Sequence, residues 1–237
     1  MCRIMSTKPD AYGGRNLKRL VLDILGLQYW KDCADSILLL PERQVINPLI
    51  SLMLHNDPII RWRAVIAIGE VVNKLVSTDM EGARIVMRRF MWSLNDESGG
   101  IGWGAPEAMC VCVARNQKIA DEFGHMVVSY LNPDGNYLEY EPLQRGLLWG
   151  IVHVAQKSPD VVNGAKPFLI SYLDSGDAHV RGLAIMALNL LGVKESVERL
   201  RDLVSDGSCF STYVNDEIKT FTVGEKASEA SKALQKN

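Results

Sequence analysis

Asp57-Pro58-Ile59-Ile60-Arg61-Trp62-Arg63-Ala64-Val65-Ile66-Ala67-Ile68 and Asp177-Ala178-His179-Val180-Arg181-Gly182-Leu183-Ala184-Ile185-Met186-Ala187-Leu188 are two versions of one pattern. Each opens on Asp, places Arg four residues on, and sets Ala at two fixed later positions among aliphatic residues. A third copy runs from Glu141 through Arg145 to Val152. A degenerate fourth, Trp103-Gly104-Ala105-Pro106-Glu107-Ala108-Met109, aligns Trp103 with Trp62 and Ala105 with Ala64. Measured at Arg61, its counterpart Gly102, Arg145 and Arg181, the copies are 41, 43 and 36 residues apart. A period of that length marks a two-helix unit that buries its apolar side by stacking on copies of itself.

Amphipathic stretches between the copies read as the partner helices, at roughly 43–54, 80–94, 118–131, 161–173 and 194–204. In the second of these, Ile85, Val86, Arg89, Phe90 and Ser93 share one side of a helix at helical spacing. Asp57-Pro58, Glu141-Pro142 and Ser158-Pro159 each place a polar acceptor at a helix N-cap and proline at the first helical position. Gly192 and Asn132-Pro133 supply stops. Two further helices, about 15–26 and 28–39, open the array as a cap. Near the other end, 210–214 and 218–223 are β-branched and aromatic around the polar turn Asn215-Asp216-Glu217, a hairpin signal. A final helix follows from Gly224 to Lys236, with Ala227, Ala230 and Leu234 on one stripe. The hairpin reads as an insertion inside the last repeat.

The Asp-x-x-x-Arg-x-x-Ala-x-x-Ala pattern resembles HEAT repeats of the phycobilisome-lyase type over about residues 43–237. The whole chain is also similar to uncharacterised HEAT-repeat proteins of anaerobic bacteria. The resemblance implies an all-α protein, a right-handed α-α superhelix of the HEAT/armadillo kind, with a small β-hairpin near the C-terminus. The organisation expected is a flexible arm at 1–14 and a single solenoid at 15–237. The solenoid divides into an N-terminal cap at 15–42, helical repeats at 43–207, and hairpin plus final helix at 208–237. The repeated Asp57/Arg61 and Asp177/Arg181 pairs need no functional explanation. The acid caps the second helix, and the Arg pairs with it or with its equivalent in the next repeat.

Composition narrows function by exclusion. The chain has 237 residues, and its net charge of -2 does not favour non-specific attraction to nucleic acid or anionic membrane. Residues 1–118 carry 15 basic and 12 acidic side chains and the remainder 11 and 16, so neither half is a polyanion magnet. The longest apolar runs, such as Ala108–Ala114, fall well short of the roughly 20 residues that span a bilayer. A soluble, cytoplasmic protein is expected. Five scattered cysteines, with no CxxC pair, read as reduced thiols, Cys110 and Cys112 being small core residues.

The repeat breaks at Asn95-Asp96-Glu97-Ser98-Gly99-Gly100-Ile101-Gly102-Trp103-Gly104-Ala105-Pro106-Glu107. Four glycines fall within six residues where the other copies start their second helix, and Gly102 replaces the repeat arginine. Proline inside a helix costs about 3 kcal/mol, so Pro106 belongs in a first turn and the helix should start near Ala105. Two readings of the loop stand at this level. It is a turn absorbing an imperfect repeat, with Trp103 in the core, or it is a binding site. Glycines before a helix N-terminus permit close approach of a ligand or positive φ. Asp96 and Glu97 suit a cationic partner or a metal-bridged anion, and Trp103 suits an aromatic anchor. No nucleotide-binding motif is present.

The other candidate chemistries are weak. None of His55, His125, His153 and His179 is followed by Glu, so the His-Glu dipeptides of HEAT-like di-iron hydroxylases are missing. HEAT-like DNA glycosylases use a basic face, which the near-neutral charge does not supply. Arg84, Arg88 and Arg89 form the one tight basic cluster and read as a solvated helix face. The sequence therefore points to a non-enzymatic scaffold or assembly factor, without a cofactor, that binds another protein on the concave solenoid face. Asp96, Glu97, Gly99, Gly100, Gly102, Trp103 and Glu107 would line that face with Trp62, Arg63 and Trp149. The alternative is a lyase-like or cofactor-handling factor with a small-molecule or metal ligand at the 95–107 loop.

Overall fold

In the computed structural model, residues 13–30, 34–95 and 102–236 are described. The chain forms two compact units, Met1–Asn116 and Gln117–Asn237.

The first unit contains α1 (Gly14–Leu25), α2 (Asp35–Leu38), α3 (Glu42–Leu52), α4 (Pro58–Thr78), α5 (Met80–Leu94) and α6 (Ala105–Arg115). Its axis is α4, which packs against α2, α3, α5 and α6. That surrounding explains why α4 is apolar over most of its circumference, burying Ala64, Val65, Ile68, Val71, Val72 and Leu75. Its start is the one its sequence demands. Asp57 accepts the Ile59 N–H at 2.8 Å, and Pro58 occupies a position whose N–H would have no partner in the helix. Asp79 closes α4 and caps α5, accepting the Gly82 N–H at 3.0 Å. The buried stripe of α5 is Ala83, Val86, Met87 and Phe90. Ile85 and Arg89, placed on that side by spacing alone, are exposed, because the true stripe lies one position round the helix.

In the second unit, α8 (Glu141–Ala155), α10 (Ala178–Leu190) and α12 (Val223–Lys236) form a row, α10 packing between the other two. α7 (Gln117–Ser129) precedes them. The single helix expected at 161–173 is instead a chain of short pieces. They are a 3-10 helix Pro159–Ala165, α9 (Lys166–Leu169) and a 3-10 helix Ser171–Asp174. The physical reason is Pro167, which lacks an N–H and whose ring opposes the carbonyl four residues back. Val162, at φ -114 and ψ 16, marks the break. Likewise 194–204 resolves into a 3-10 turn at Lys194–Ser196 and α11 (Val197–Asp202). Two expected caps also differ: Tyr140, not Glu141, holds the N-cap of α8, and Ser158 makes no side-chain cap bond.

Between α11 and α12 the strands β1 (Cys209–Val214) and β2 (Glu217–Thr222) pair antiparallel, with Phe210 opposite Phe221. Asn215 and Asp216 have φ of 54° and 72°, the left-handed pair that a two-residue hairpin turn requires. Phe210 and Thr212 point inward from β1, and α11 and α10 both pack on α12. The hairpin is thus an excursion within a helix pair, as its position in the sequence indicated.

Candidate functional site

The repeat arginines act between repeats. Arg145 of α8 donates to Asp177, the N-cap of α10, at 2.5 Å. Arg181 of α10 donates through Nε and Nη2 to Asp206 Oδ2 at 3.0 and 2.6 Å. Each guanidinium therefore reaches the acid that comes one repeat later. In the first unit Arg61 faces an altered partner. Its charge acts on Glu107, in the first turn of α6, where no Asp cap stands.

That exchange belongs to the break in the repeat. α6 begins at Ala105, with Pro106 in its first turn, as the cost of an internal proline required. Its N-cap, Gly104, has φ +78°, a conformation that a residue with Cβ resists. A Cβ on Gly102 would lie 2.9 Å from the Ser93 carbonyl oxygen at the end of α5. These two glycines are thus accounted for by backbone geometry and close packing.

Around them, Trp103 is 42% exposed, so it is not a core residue. Trp62 and Glu107 are half-buried. The Glu107 Oε2 atom is sealed from solvent and has no hydrogen-bond partner among the described residues. Burial pushes this carboxyl up to about 7, against the pull of Arg61, so it takes and releases a proton near neutrality. Asp96, Glu97, Gly99 and Gly100 lie outside the described residues.

Two of the expected site residues turn inward. Arg63 is buried on α4, donates to the Leu25 and Leu27 carbonyls at 2.7 and 2.8 Å, and lies over the Trp30 ring at 5.6 Å. It closes the C-terminal end of α1, a task invisible in the local sequence because its acceptors are 36 and 38 residues away. Trp149 is 6% exposed, stacks on His153 at 5.1 Å, and donates its indole N–H to the Tyr213 carbonyl at 3.0 Å. It fastens β1 to α8. Neither side chain is presented to a partner.

Cys110 and Cys112 are buried in α6, and burial pushes both thiols up, away from thiolate reactivity. Among the described residues no group of three His, Cys, Asp or Glu side chains is placed to hold a metal ion. No described helix is long and apolar enough to cross a membrane.

No family model matches the chain. An uncharacterized protein of Archaeoglobus fulgidus is 29% identical over 162 residues, covering 65% of this chain and 80% of the archaeal protein. Among solved structures, an engineered protein aligns over 95% of this chain and 93% of its own, with TM-score 0.56 and 12% identity. A designed armadillo repeat protein, solved with a (KR)4 peptide, aligns over 92% of this chain and 99% of its own, with TM-score 0.51 and 16% identity. The fold is a helical-repeat array of the HEAT/armadillo kind, carrying a two-stranded hairpin near its C-terminal end.

Proposed function

We propose that this protein is a non-enzymatic scaffold or assembly factor that binds a partner polypeptide at the break in its repeat. The observation that carries the reading is Trp103. Where the regular repeats reach the next one through an Arg–Asp pair, this one has lost the arginine and exposes an indole instead. Glu107 stands four residues on, in the first turn of α6, and one of its carboxyl oxygens has no hydrogen-bond partner among the described residues. Asp96 and Glu97 precede it in the chain. An exposed aromatic ring with acidic residues close by in sequence suits a basic segment, whose aliphatic stems cover the ring while its charge meets the carboxylates of Asp96 and Glu97. The designed armadillo neighbour was solved with a peptide of alternating Lys and Arg, which supports this reading by likeness of fold. We count Trp62, the repeat counterpart of Trp103, with this surface, whereas Arg63 and Trp149 each hold the fold of their own unit.

The test is a titration of the protein with a (KR)4 peptide, read by tryptophan fluorescence. It is paired with native purification and mass spectrometry of co-purifying polypeptides. Saturable binding and a specific co-purifying polypeptide are expected. Both should be lost in a Trp103→Ala, Asp96→Ala double variant whose circular dichroism is unchanged. If that folded variant binds as the unaltered protein does, or if purification yields a coloured or metal-bearing protein with no polypeptide, the cofactor-handling reading takes its place.

A further inference from the structure

In the first unit, α1 and α3 border a cleft of about 420 Å³, lined by Lys18, Gln44, Asn47, Pro48 and Ser51 among others. Two cations from different helices are held against its α3 wall. Lys18 of α1 donates to Ser51 Oγ at 2.6 Å, and Arg89 of α5 donates to Asn47 Oδ1. Asn47 and Ser51 are one helical turn apart and so lie one above the other on α3. Both acceptors are neutral. The bonds position the two cations without cancelling their charge, unlike Arg43–Asp79, Arg88–Glu81 and Arg115–Glu70 in the same unit, which meet carboxylates. Arg15 and Arg19 add exposed positive charge on α1.

Next to Arg89, α5 leaves Ile85 55% and Trp92 78% exposed. Positions 85, 89 and 92 follow helical spacing and share one stripe. Large apolar side chains alternating with an arginine are the composition of an interface anchor rather than of a solvated face.

We propose that the face built by α1, α3 and α5 docks an acidic, amphipathic polypeptide segment. Its carboxylates enter the cleft at Lys18 and Arg89, and its apolar side chains cover Ile85 and Trp92. Charge complementarity selects the acidic partner. The apolar stripe selects a polypeptide over a bare polyanion, whose phosphates would leave Ile85 in water. This surface takes a partner of opposite charge to the one at Trp103 and uses different residues.

The test uses the full chain and a fluorescently labelled amphipathic peptide of Glu, Leu and Ala, read by anisotropy. The same peptide with Lys in place of Glu and a single-stranded oligonucleotide serve as comparisons. Saturable, salt-sensitive binding of the acidic peptide is expected, and of that peptide alone once Trp103→Ala has removed the basic-peptide site. Lys18→Glu with Arg89→Glu should weaken it about tenfold or more, and Trp92→Ala about threefold. Trp103→Ala should leave it unchanged, which separates this proposal from the one above. Should the charge reversal unfold the chain, Lys18→Gln with Arg89→Gln reads the same outcome. The proposal is overturned if the acidic peptide does not bind, if the basic peptide or the oligonucleotide binds as tightly to the Trp103→Ala variant, or if a folded charge variant binds normally.

Discussion

Arg145 and Asp177 join two successive helices of the second unit's row, the guanidinium of α8 bonding to the carboxylate that caps α10. The carboxylate is almost fully buried and also accepts the N–H groups of His179 and Val180 at 2.6 and 3.4 Å. One acid thus starts a helix and ties it to the preceding repeat. An exposed ion pair contributes little, but a buried acid that also caps a helix is costly to lose.

Replacing that acid should therefore destabilise the second unit. Asp177→Ala is expected to cost about 2–3 kcal/mol, combining a lost cap with a buried hydrogen-bonded charge pair. Urea denaturation measures it. The pH dependence has a definite sign. Burial pushes the Asp177 carboxyl up, but the His179 N–H, Arg145 and the Val180 N–H outweigh it and hold the group below its usual 3.8. Its contribution is present above that value and lost as pH falls through the lowered one. Asp177→Asn should flatten the acid limb of the stability profile.

Glu107 works in the opposite sense. Its carboxyl, raised by burial to about 7 from 4.5, is protonated more readily in the folded chain than in the unfolded one. Stability should fall as pH rises from about 4.5 and level off above about 7. Glu107→Gln keeps the shape and removes the ionisation. The variant should gain on the unaltered protein by about 1–3 kcal/mol between pH 5 and pH 8, allowing for screening at a half-buried site. Thermal melts across that range would show parallel curves if the carboxyl did not titrate in this window.

Arg63 is expected to matter to stability rather than to binding. Arg63→Met keeps the apolar stem but strips the Leu25 and Leu27 carbonyls of their donor and the Trp30 ring of its cation. A loss of about 2–4 kcal/mol should follow, concentrated in α1. Hydrogen exchange would reveal it as faster exchange of the amides of α1, with peptide binding at Trp103 unchanged.

The hairpin rests on a glycine. A Cβ at Gly182 on α10 would come within 2.3 Å of the Phe210 ring on β1. Gly182→Ala should cost about 1–3 kcal/mol by overpacking. Phe210→Leu alone opens a gap, and in combination with Gly182→Ala the two costs should sum to less than their separate values. A chemical-denaturation double-mutant cycle measures the coupling.

The copies beginning at Asp57 and Asp177 made the helical repeat legible, because their spacing records which face of each helix must be covered. The hairpin was equally legible in its β-branched residues around a polar turn, and the late start of α6 in Pro106. Local chemistry settles such features: caps, prolines, left-handed turns and apolar periodicity act over a few residues. The fates of Arg63 and Trp149 were not legible. Both resembled surface-lining side chains, yet their hydrogen-bond acceptors lie 36 or more residues away, and only packing brings those carbonyls within reach. The same holds for the pairing of Arg145 with the acid ahead of it rather than the one beside it, and for Lys18 and Arg89 meeting on α3. Sequence by itself determined that this chain is a stack of helix pairs with one flawed copy. Tertiary structure alone decided which charges are spent inside that stack and which stay at its surface, since a long side chain takes whichever partner the packing of its neighbours leaves in range.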